Sequence, residues 1–590
     1  MRVPCITRLN LCAVRLTSTF SSQNSSNGSH QYTTHQPCKR SRSHVTSWCQ
    51  RHTRASSTLS DDRSNDVTKG IVRSPFPQID VPDLPFAEFM FAALREYKDQ
   101  IALVDFLSGK EWTFRQVIED SMRIASGLSR LGLRQGDTLL MLSFNCPEYT
   151  LALLASAACG ITVSSANPTY TPDELARQIE MSGSTAVVVG ETLVSVVEAA
   201  LQHNPALKDK LQSKQIVLGQ AEGFRPFSTL LEDDGKAFPE NVSINPHEDV
   251  LLLPYSSGTT GLPKGVMLTH TNVTANILQQ LGLTVGERGT GTVLGVLPFY
   301  HIYGMTVSQW TALHAGNTVV TLPRFQSQDF LSAIQTLSIT DLHLVPPLVL
   351  FLAKDPLVTG YDISSVKKVM CGAAPLGEGI SREFATRSDA LLLQVYGLTE
   401  TSPVTHFNNP PVRLGTIGHV VSTTDAKIID VDTGEALKAG ETGELCVRGP
   451  QVMKGYFNNP KATADTVQDG WLRTGDLGHV DEDGYFSITD RLKELIKYKG
   501  FQVAPAELEA LLLTHPAVSD VAVVGVPNEE AGELPKAFVV PRPGVPFSEK
   551  DVIDFLHSKV APHKKLRGGL HVLETIPKTA SGKILRRLLK

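Results

Sequence analysis

The sequence predicts an α/β protein, with a large N-terminal α/β body of helix-covered, mostly parallel sheets and a small C-terminal α+β domain. Short apolar segments alternate with helical patterns from Pro75 onward, which is typical of parallel sheets covered by helices. The composition is globular, with 41% hydrophobic and 19% charged residues in a chain of 590. The pattern becomes compact and mixed after Asp490. We therefore expect an extension over residues 1–74, the body over 75–490 and the mobile small domain over 491–590.

The elements of the body can be followed in chain order. A helical pattern over residues 112–131 ends before a turn at 135–137, and an apolar strand follows at 138–142. Residues 148–159 return to helix and 161–164 to strand. Thr171, Pro172 and Glu174 then form a capping-box pattern with proline at the first helical position, which predicts a helix start.

The small domain shows both element types within about a hundred residues. Residues 505–513 and 548–560 have helical patterns, and residues 521–526 and 537–540 are apolar and rich in valine. This arrangement predicts two strands and two helices around a core of their own.

The first sixty residues differ from the rest in charge, with eight basic residues and no Asp or Glu. A chain rich in Arg and Ser and poor in acids has the composition of a mitochondrial transit peptide. The same composition describes a disordered extension without an address. Both interpretations stay open. We expect an intracellular protein, mitochondrial in the first case and cytoplasmic in the second, and the terminal Leu-Leu-Lys is not the peroxisomal signal Ser-Lys-Leu.

Charge, hydropathy and cysteine spacing exclude several classes of protein. The net charge is −5, so the chain beyond the basic extension is acidic and nucleic-acid binding is disfavoured. No run of 18 apolar residues occurs, so the sequence predicts no helix that spans a membrane. The eight cysteines are scattered without a C-x-x-C pair, so they indicate reduced thiols rather than a disulfide or zinc framework.

The segment 255–265, Tyr-Ser-Ser-Gly-Thr-Thr-Gly-Leu-Pro-Lys-Gly, follows an apolar strand and carries the most specific signal. Its glycines allow close backbone approach, and its hydroxyl and ammonium donors suit a polyphosphate. It is not a P-loop, because Lys264 precedes a glycine instead of following one. A flexible turn is the alternative for such a loop taken alone.

This segment resembles the signature of the adenylate-forming superfamily of acyl-CoA synthetases, 4-coumarate–CoA ligases and beetle-type luciferases. Seven further motifs resemble that family in the family's order: 298–304, 371–377, 394–400, 443–449, 471–476, 490–500 and 577–583. With these motifs in family order, the resemblance covers essentially residues 80–590. The strings at 345–350 and 372–377 favour the branch similar to 4-coumarate–CoA ligases.

The resemblance implies an acid–thiol ligase that joins a carboxylic acid to CoA in two steps through an acyl-adenylate, with ATP, Mg²⁺ and CoA. The first step joins two anions, so positioned cations should supply most of the catalysis. Thr399 would contact the α-phosphate, Glu400 would hold Mg²⁺, and Asp476 would accept from the ribose beside Arg491. Lys583 would reach across from the small domain. The implied nucleotide-binding residues are Ser256, Ser257, Gly258, Thr259, Thr260, Lys264, Gln394, Thr399, Asp476, Arg491, Lys493 and Lys583.

The second step, by the same resemblance, follows a rotation of the small domain about Lys493. This would bring Lys497 to the adenylate, where the thiol of CoA displaces AMP. The implied CoA-binding residues are Arg324, Lys499, Gly500 and Gln502. The implied catalytic residues are Lys583, His301, Thr399 and Lys497.

The resemblance places the acyl pocket at His301, Tyr303, Val307, Gly372, Ala373 and Val395. In hydroxycinnamate ligases the positions of Val307 and Val395 hold a small hydroxyl residue and glycine. Valine at position 307 removes a hydrogen-bond partner for the phenol of a substrate, and valine at position 395 narrows the pocket for a planar ring. The hydroxyl of Tyr303 is still expected nearby. We therefore expect a fatty or other apolar acid, with 4-coumarate as the alternative.

Other functions remain open for this sequence. A luciferase-like monooxygenase would act through the same adenylate. An amino-acid-activating module of a peptide synthetase would need a carrier domain after Lys583. A non-catalytic nucleotide-binding relative is disfavoured by Lys264, Glu400 and Lys583. Taken singly, His301 would be a core histidine and Lys583 a solvated surface lysine.

Overall fold

The computed structural model describes residues 70–211, 214–256, 263–283, 288–499, 501–579 and 582–590. All of these belong to one compact unit. The predicted extension falls outside them except for residues 70–74, so its two interpretations stay predictions. The same holds for the sequence-predicted site residues Ser257, Gly258, Thr259, Thr260 and Gly500.

The first of two nine-stranded sheets is built from the alternating pattern that begins the body. Its strands, in spatial order, are Tyr255–Ser256, Lys264–Thr269, Val250–Leu252, Thr162–Ser165, Thr138–Leu142, Ala186–Gly190, Gln215–Leu218 and Arg225–Pro226, with Gly455–Tyr456 paired to the second. The pairs from Val250–Leu252 onward are parallel. The helices Pro147–Ala158, Pro172–Ser182, Val194–His203, Pro205–Leu211, Ser228–Leu231, His270–Leu281 and Pro460–Thr466 follow its strands in the chain.

The second nine-stranded sheet has a parallel centre and antiparallel edges. Its strands, in spatial order, are His419–Val420, Val404–Phe407, Leu391–Gly397, Lys368–Cys371, Asp341–Leu344, Thr292–Gly295, Thr318–Thr321, Ile101–Asp105 and Glu111–Thr113. The helical segments in this part of the chain are Phe86–Leu94, Phe114–Arg130, His270–Leu281, Tyr303–Thr311, Ala312–His314, Ser327–Thr336, Pro346–Lys354 and Glu378–Arg387. The segment Tyr303–Thr311 is π-helical.

A third, six-stranded sheet is antiparallel throughout, in contrast to the parallel pattern predicted for the body. Its strands are Val72–Arg73, Asp425–Ile429, Gly443–Arg448, Trp471–Val480, Val467–Gln468 and Phe486–Arg491, and the helix Pro460–Thr466 lies between two of them in the chain. The pairing sets Asp476 directly opposite Arg491. This sheet therefore positions one of the predicted nucleotide-binding pairs.

The small C-terminal sheet has five strands and a hydrophobic core of its own. Its strands are Phe501–Val503, Ile496–Tyr498, Gly532–Pro541, Val518–Asn528 and Leu570–Val572, and its helices are Pro505–Leu512 and Glu549–His557. The two predicted helices and two predicted strands are present in the predicted order, whereas the strands Ile496–Tyr498, Phe501–Val503 and Leu570–Val572 were not predicted.

Local sequence signals explain several of these boundaries. Glu174 donates its backbone N–H to Oγ1 of Thr171 over 3.3 Å, and the Thr171 N–H returns to the Glu174 carboxylate over 2.9 Å. The predicted capping box is therefore present, with Pro172 opening the helix. Among the helices that the structure describes, none combines the length and apolar character needed to cross a membrane.

Candidate active site

The phosphate-binding loop predicted from the sequence connects two paired strands. Ser256 lies opposite Lys264 in an antiparallel pair, so the two ends of the loop are held together. The Nζ of Lys264 lies 4.6 Å from the ring centroid of Tyr456. The strand Gly455–Tyr456 pairs with the strand Lys264–Thr269, which begins at this lysine. A cation over an aromatic face gains electrostatic attraction, which positions this lysine.

The strand Leu391–Gly397 leads into a short turn that carries Thr399 and Glu400, and this turn contacts the strand Lys264–Thr269. The hydroxyl of Tyr456 donates to Oε1 of Glu400 over 2.9 Å, and the N–H of Met453 donates to the Glu400 carbonyl over 2.8 Å. Gln394 lies on the same strand, buried and paired with Cys371 of the neighbouring strand. The structure thus brings Lys264, Glu400 and Thr399 to adjoining segments.

Asp476 is held by two partners on a buried part of the antiparallel sheet. The hydroxyl of Tyr396 donates to its Oδ2 over 2.7 Å, and Nε of Arg491 lies 3.0 Å from its Oδ1. Burial raises the pKa of Asp476, and the Arg491 guanidinium opposes that rise. The side chain is 4% exposed, so its orientation is fixed before any ligand binds.

Lys583 projects from a turn near the C-terminus that packs against the body. The Lys583 N–H donates to Oγ1 of Thr579 over 3.1 Å, and a Cβ added to Gly582 would lie 3.2 Å from Cγ2 of Val345. Burial and the nearby positive charge of Arg491 lower the pKa of Lys583 to about 8. Glu494, Asp476 and Glu400 oppose that shift, so the lysine lies among the predicted nucleotide-binding residues.

His301 lies within the electrostatic reach of Lys583. Burial, assisted by that ammonium group, lowers the pKa of His301 to about 4, so the imidazole is neutral at physiological pH. Its Nδ1 accepts from the N–H of Tyr303 over 3.3 Å. A neutral imidazole with one nitrogen engaged can position a carboxylic acid but adds no charge to it.

Three of the six predicted acyl-pocket residues belong to one hydrophobic cluster, whereas Ala373 is exposed. Tyr303, Val307 and Val395 belong to it and are 5%, 1% and 7% exposed. A Cβ added to Gly372 would lie 2.8 Å from Cγ2 of Val395 and 3.4 Å from the Tyr303 ring, so this glycine allows close packing. Ala373 has a left-handed backbone with φ of 69°.

The Tyr303 hydroxyl differs from its expected role. The sequence analysis expected the Tyr303 hydroxyl to lie near the substrate. In the structure this hydroxyl donates a hydrogen bond to the Met370 carbonyl over 2.9 Å. Because this bond already uses its one proton, the hydroxyl cannot donate to a substrate phenol without breaking it.

The predicted CoA-binding residues that the structure describes are exposed. Lys497 and Gln502 are paired across an exposed hairpin of the small sheet, and Lys499 has a left-handed φ of 47° at its turn. Arg324 is exposed beyond a strand of the second large sheet, and among the described residues no hydrogen bond or ion pair joins it to the hairpin. Lys493, the predicted hinge, is exposed just before the small sheet.

The residues present fit a magnesium ion that arrives with ATP. The described residues contain no preformed group of three His, Cys, Asp or Glu side chains able to hold a metal. Mg²⁺ commonly binds through one or two carboxylates together with substrate phosphates. Glu400 supplies such a carboxylate next to Lys264, which would bind the phosphates.

Two tyrosines of the site were missed by the sequence analysis. Tyr396 lies inside the 394–400 motif without a role assigned to it, and Tyr456 lies outside every motif. Their partners are 80 and 56 residues away along the chain. A tyrosine two residues after Gln394 in the motif was the available signal for the first, and none existed for the second.

Comparison with known proteins agrees with this geometry. Residues 90–457 match the AMP-binding enzyme family, and residues 507–583 match the AMP-binding enzyme C-terminal domain. The chain is 42% identical over 535 residues to 4-coumarate--CoA ligase 2 of Solanum tuberosum, covering 88% of this chain and 96% of that protein. It is 41% identical over 537 residues to 4-coumarate--CoA ligase of Pinus taeda, covering 88% and 97%.

Solved structures share the fold. ATP-bound MatB from Rhodopseudomonas palustris superimposes with a TM-score of 0.75 at 27% identity, covering 85% of this chain and 97% of MatB. The anthranilate CoA ligase AuaEII in complex with anthranoyl-AMP gives a TM-score of 0.79 at 24% identity, covering 87% and 97%.

The chain therefore belongs to the AMP-binding enzyme family. Within the adenylate-forming superfamily it lies near the 4-coumarate–CoA ligase branch. Its relatives identify the protein as an AMP-forming acid–CoA ligase, and ligases of this kind bind a carboxylic acid and use ATP, Mg²⁺ and CoA. The predicted fold, enzyme class and cofactors are confirmed at the level of the family.

Proposed function

We propose that the protein is an ATP-dependent acid–CoA ligase that activates a medium- or long-chain aliphatic acid in preference to 4-coumarate. The observation that carries this proposal is the pocket wall, where Val307 and Val395 are buried and the Tyr303 hydroxyl is already bonded to Met370.

In the first step a carboxylate oxygen attacks the α-phosphate of ATP, the bond to pyrophosphate breaks, and an acyl-adenylate forms. Asp476 accepts from the ribose hydroxyls, and Lys264 holds the departing phosphates. Lys583 neutralises the charge that builds between the two anions. Bound through Glu400, Mg²⁺ would supply further charge neutralisation at the phosphates.

In the second step the thiol of CoA attacks the acyl carbon, the bond to AMP breaks, and the thioester forms. We assign residues 75–490 to the adenylation body and 491–590 to a mobile domain that rotates about Lys493. The rotation withdraws Lys583 and presents the hairpin of Lys497, Lys499 and Gln502. The exposure of that hairpin is consistent with this use.

The preference for an aliphatic acid follows from the lack of a hydrogen-bond partner for the phenol of 4-coumarate in the pocket. A phenol buried against valine loses its hydrogen bonds to water, which costs about 1–3 kcal/mol or roughly 10–100-fold in specificity. An aliphatic chain has no such cost and gains from burial against the same side chains. The second candidate is 4-coumarate, because the relatives named above are 4-coumarate–CoA ligases at 41–42% identity.

The experiment compares kcat/KM for hexanoate, decanoate, palmitate, cinnamate and 4-coumarate by CoA-dependent AMP release. We expect an aliphatic acid to be the best substrate and cinnamate, which lacks the phenol, to exceed 4-coumarate. A tenfold or greater advantage of 4-coumarate over every aliphatic acid would overturn the proposal in favour of the second candidate.

A further inference from the structure

A cavity of about 380 Å³ lies on one face of the second nine-stranded sheet, beside the predicted acyl pocket. Its volume lies within the range of about 300–1,000 Å³ typical of small-molecule sites. The π-helical segment contributes Val307 and Thr311 to one wall, and the sheet contributes Met370 and His343 to the other. Val307 is also a predicted acyl-pocket residue.

The cavity continues the acyl pocket along the strand Lys368–Cys371. Side chains two residues apart in a strand lie on the same face of the sheet. Lys368 and Met370 line the cavity, and Gly372, next in this alternation, packs against Val395 and Tyr303 of the acyl pocket. The Gly372 N–H donates to the Leu344 carbonyl over 3.1 Å, so the strand pairing extends to this position. A chain that leaves the adenylate past Gly372 therefore meets Met370 and then Lys368.

The far part of the cavity is polar and carries a positive charge. Lys368 forms an ion pair with Asp341 over 2.6 Å, and each of these two side chains is 14% exposed. His343 shares a hydrogen bond of 3.1 Å with Ser308, and burial lowers its pKa to about 4, so it is neutral. These groups are therefore matched or uncharged.

Two further cationic side chains line the cavity, and neither is paired with a carboxylate of the described residues. Arg288 and Lys367 are exposed, and neither forms an ion pair with any residue in the described part of the chain. Both lie toward the N-terminal ends of strands Thr292–Gly295 and Lys368–Cys371, the edge opposite the adenylate. Among the lining residues that the structure describes, positive charge in the far part of this cavity therefore exceeds negative charge.

We propose that this cavity binds the distal end of the substrate acid and that the end it fits is a second carboxylate. The preferred substrate is then an α,ω-dicarboxylic acid whose central part is apolar. This inference rests on the proposed function of the protein as an aliphatic acid–CoA ligase. One carboxylate reacts with ATP, and the other accepts hydrogen bonds from Arg288 and Lys367. A terminal methyl group would gain little from these solvated cations, whereas a carboxylate forms charge-assisted hydrogen bonds with them.

The test measures kcat/KM for paired mono- and dicarboxylic acids of six, ten and sixteen carbons, in the wild-type enzyme and in Arg288→Gln and Lys367→Gln. We expect a dicarboxylic acid to exceed its monocarboxylic partner by about tenfold at one or more lengths. Because the two cations share this effect and both are exposed to solvent, each single variant should reduce that ratio by about threefold, and the double variant should remove it. Lys208→Gln, which removes an exposed lysine on a helix of the other large sheet, is the matched control and should leave the ratio unchanged.

The outcomes separate this inference from the proposed function. If monocarboxylic acids are preferred at every length, or if the ratio does not respond to the two substitutions, the inference is wrong and the ligase for aliphatic acids stands. If 4-coumarate exceeds all aliphatic acids of both classes, the proposed function and the inference are both wrong. Because both positions are exposed, thermal unfolding of the variants should match that of the wild type and exclude a folding defect.

Discussion

The hydroxyl of Tyr456 donates a hydrogen bond to Oε1 of Glu400 over 2.9 Å. The ring of the same tyrosine lies 4.6 Å from Nζ of Lys264. One side chain therefore positions both the proposed magnesium ligand and the proposed phosphate ligand. The acidity of the phenol is suppressed, because burial raises its pKa and Glu400 adds to the rise, so Tyr456 acts as a hydrogen-bond donor.

Tyr456→Phe tests this link because it removes the hydroxyl and keeps the ring under Lys264. A hydrogen bond to a charged group contributes about 1.5–3 kcal/mol, so we expect the Mg²⁺ concentration for half-maximal adenylate formation to rise about tenfold. Tyr485→Phe is a matched control, since its hydroxyl donates to the Pro411 carbonyl and to no other group in the described part of the chain. An unchanged Mg²⁺ dependence in Tyr456→Phe would contradict the assignment of Glu400.

Lys583→Ala and Lys497→Ala should affect opposite half-reactions. Lys583 lies among Asp476, Arg491 and Glu400, so its loss should abolish pyrophosphate exchange while thioester formation from a supplied acyl-adenylate continues. Lys497 lies on the exposed hairpin, so its loss should slow chiefly the thioester step. Equal losses in both steps for either variant would count against the rotating-domain proposal.

The pKa of Lys583 predicts the alkaline limb of the pH profile. A lysine with a pKa of about 8 loses its proton as the pH rises through 8, whereas an ordinary lysine stays charged to about 10.4. We expect kcat/KM for adenylate formation to fall above pH 8. Lys583→Arg should keep its charge and lose this limb.

Lys583 affects the free energy of unfolding with a pH dependence opposite to its effect on activity. Between pH 8 and 10 the unfolded state binds more protons at this lysine than the folded state does. Its contribution to the free energy of unfolding therefore rises with pH in that window. Loss of activity above pH 8 thus cannot come from unfolding caused by Lys583, and circular dichroism across the same range checks this.

Local signals in the sequence explain the parts of the fold that were predicted. The capping box at Thr171 and the strand Thr138–Leu142 depend on neighbours in the chain, so both are visible in the sequence. The contacts of Tyr396 with Asp476 and of Tyr456 with Glu400 depend on tertiary packing and are not. The antiparallel third sheet was missed for the same reason, since strand direction depends on long-range pairing.

Arg586 is expected to stabilise the small domain around Lys583. Its guanidinium bonds Glu494 over 2.7 Å, the Glu509 carboxylate and the Val523 carbonyl over 2.8 Å, and its side chain is 14% exposed. Arg586→Gln leaves the buried Glu509 carboxylate and the half-buried Glu494 carboxylate without this guanidinium, which costs about 3–5 kcal/mol. Hydrogen exchange of the helix Pro505–Leu512 should accelerate accordingly.

Lys550→Gln provides the control for the Arg586 prediction. Lys550 pairs with Asp554 over 2.9 Å, but the two side chains are 84% and 61% exposed. Exposed pairs contribute little because water and salt screen them. Hydrogen exchange in this variant should match the wild type, and a similar acceleration in both variants would contradict the role of Arg586.

The pocket wall gives the last prediction, a change of acid preference by substitution at the two valines. Val307→Ser places a hydroxyl where the phenol of 4-coumarate would otherwise be unpaired. Val395→Ala removes the methyl group that lies 2.8 Å from the position of a Cβ on Gly372, which widens the slot for a planar ring. We expect the double variant to raise kcat/KM for 4-coumarate relative to decanoate by about 10–100-fold, with Val307→Ser responsible for discrimination between 4-coumarate and cinnamate. Val404→Ala, in the same cluster but outside the predicted pocket lining, controls for loosened packing. If Val404→Ala shifts the preference as much as the double variant does, the valines do not select the acid through contact with it.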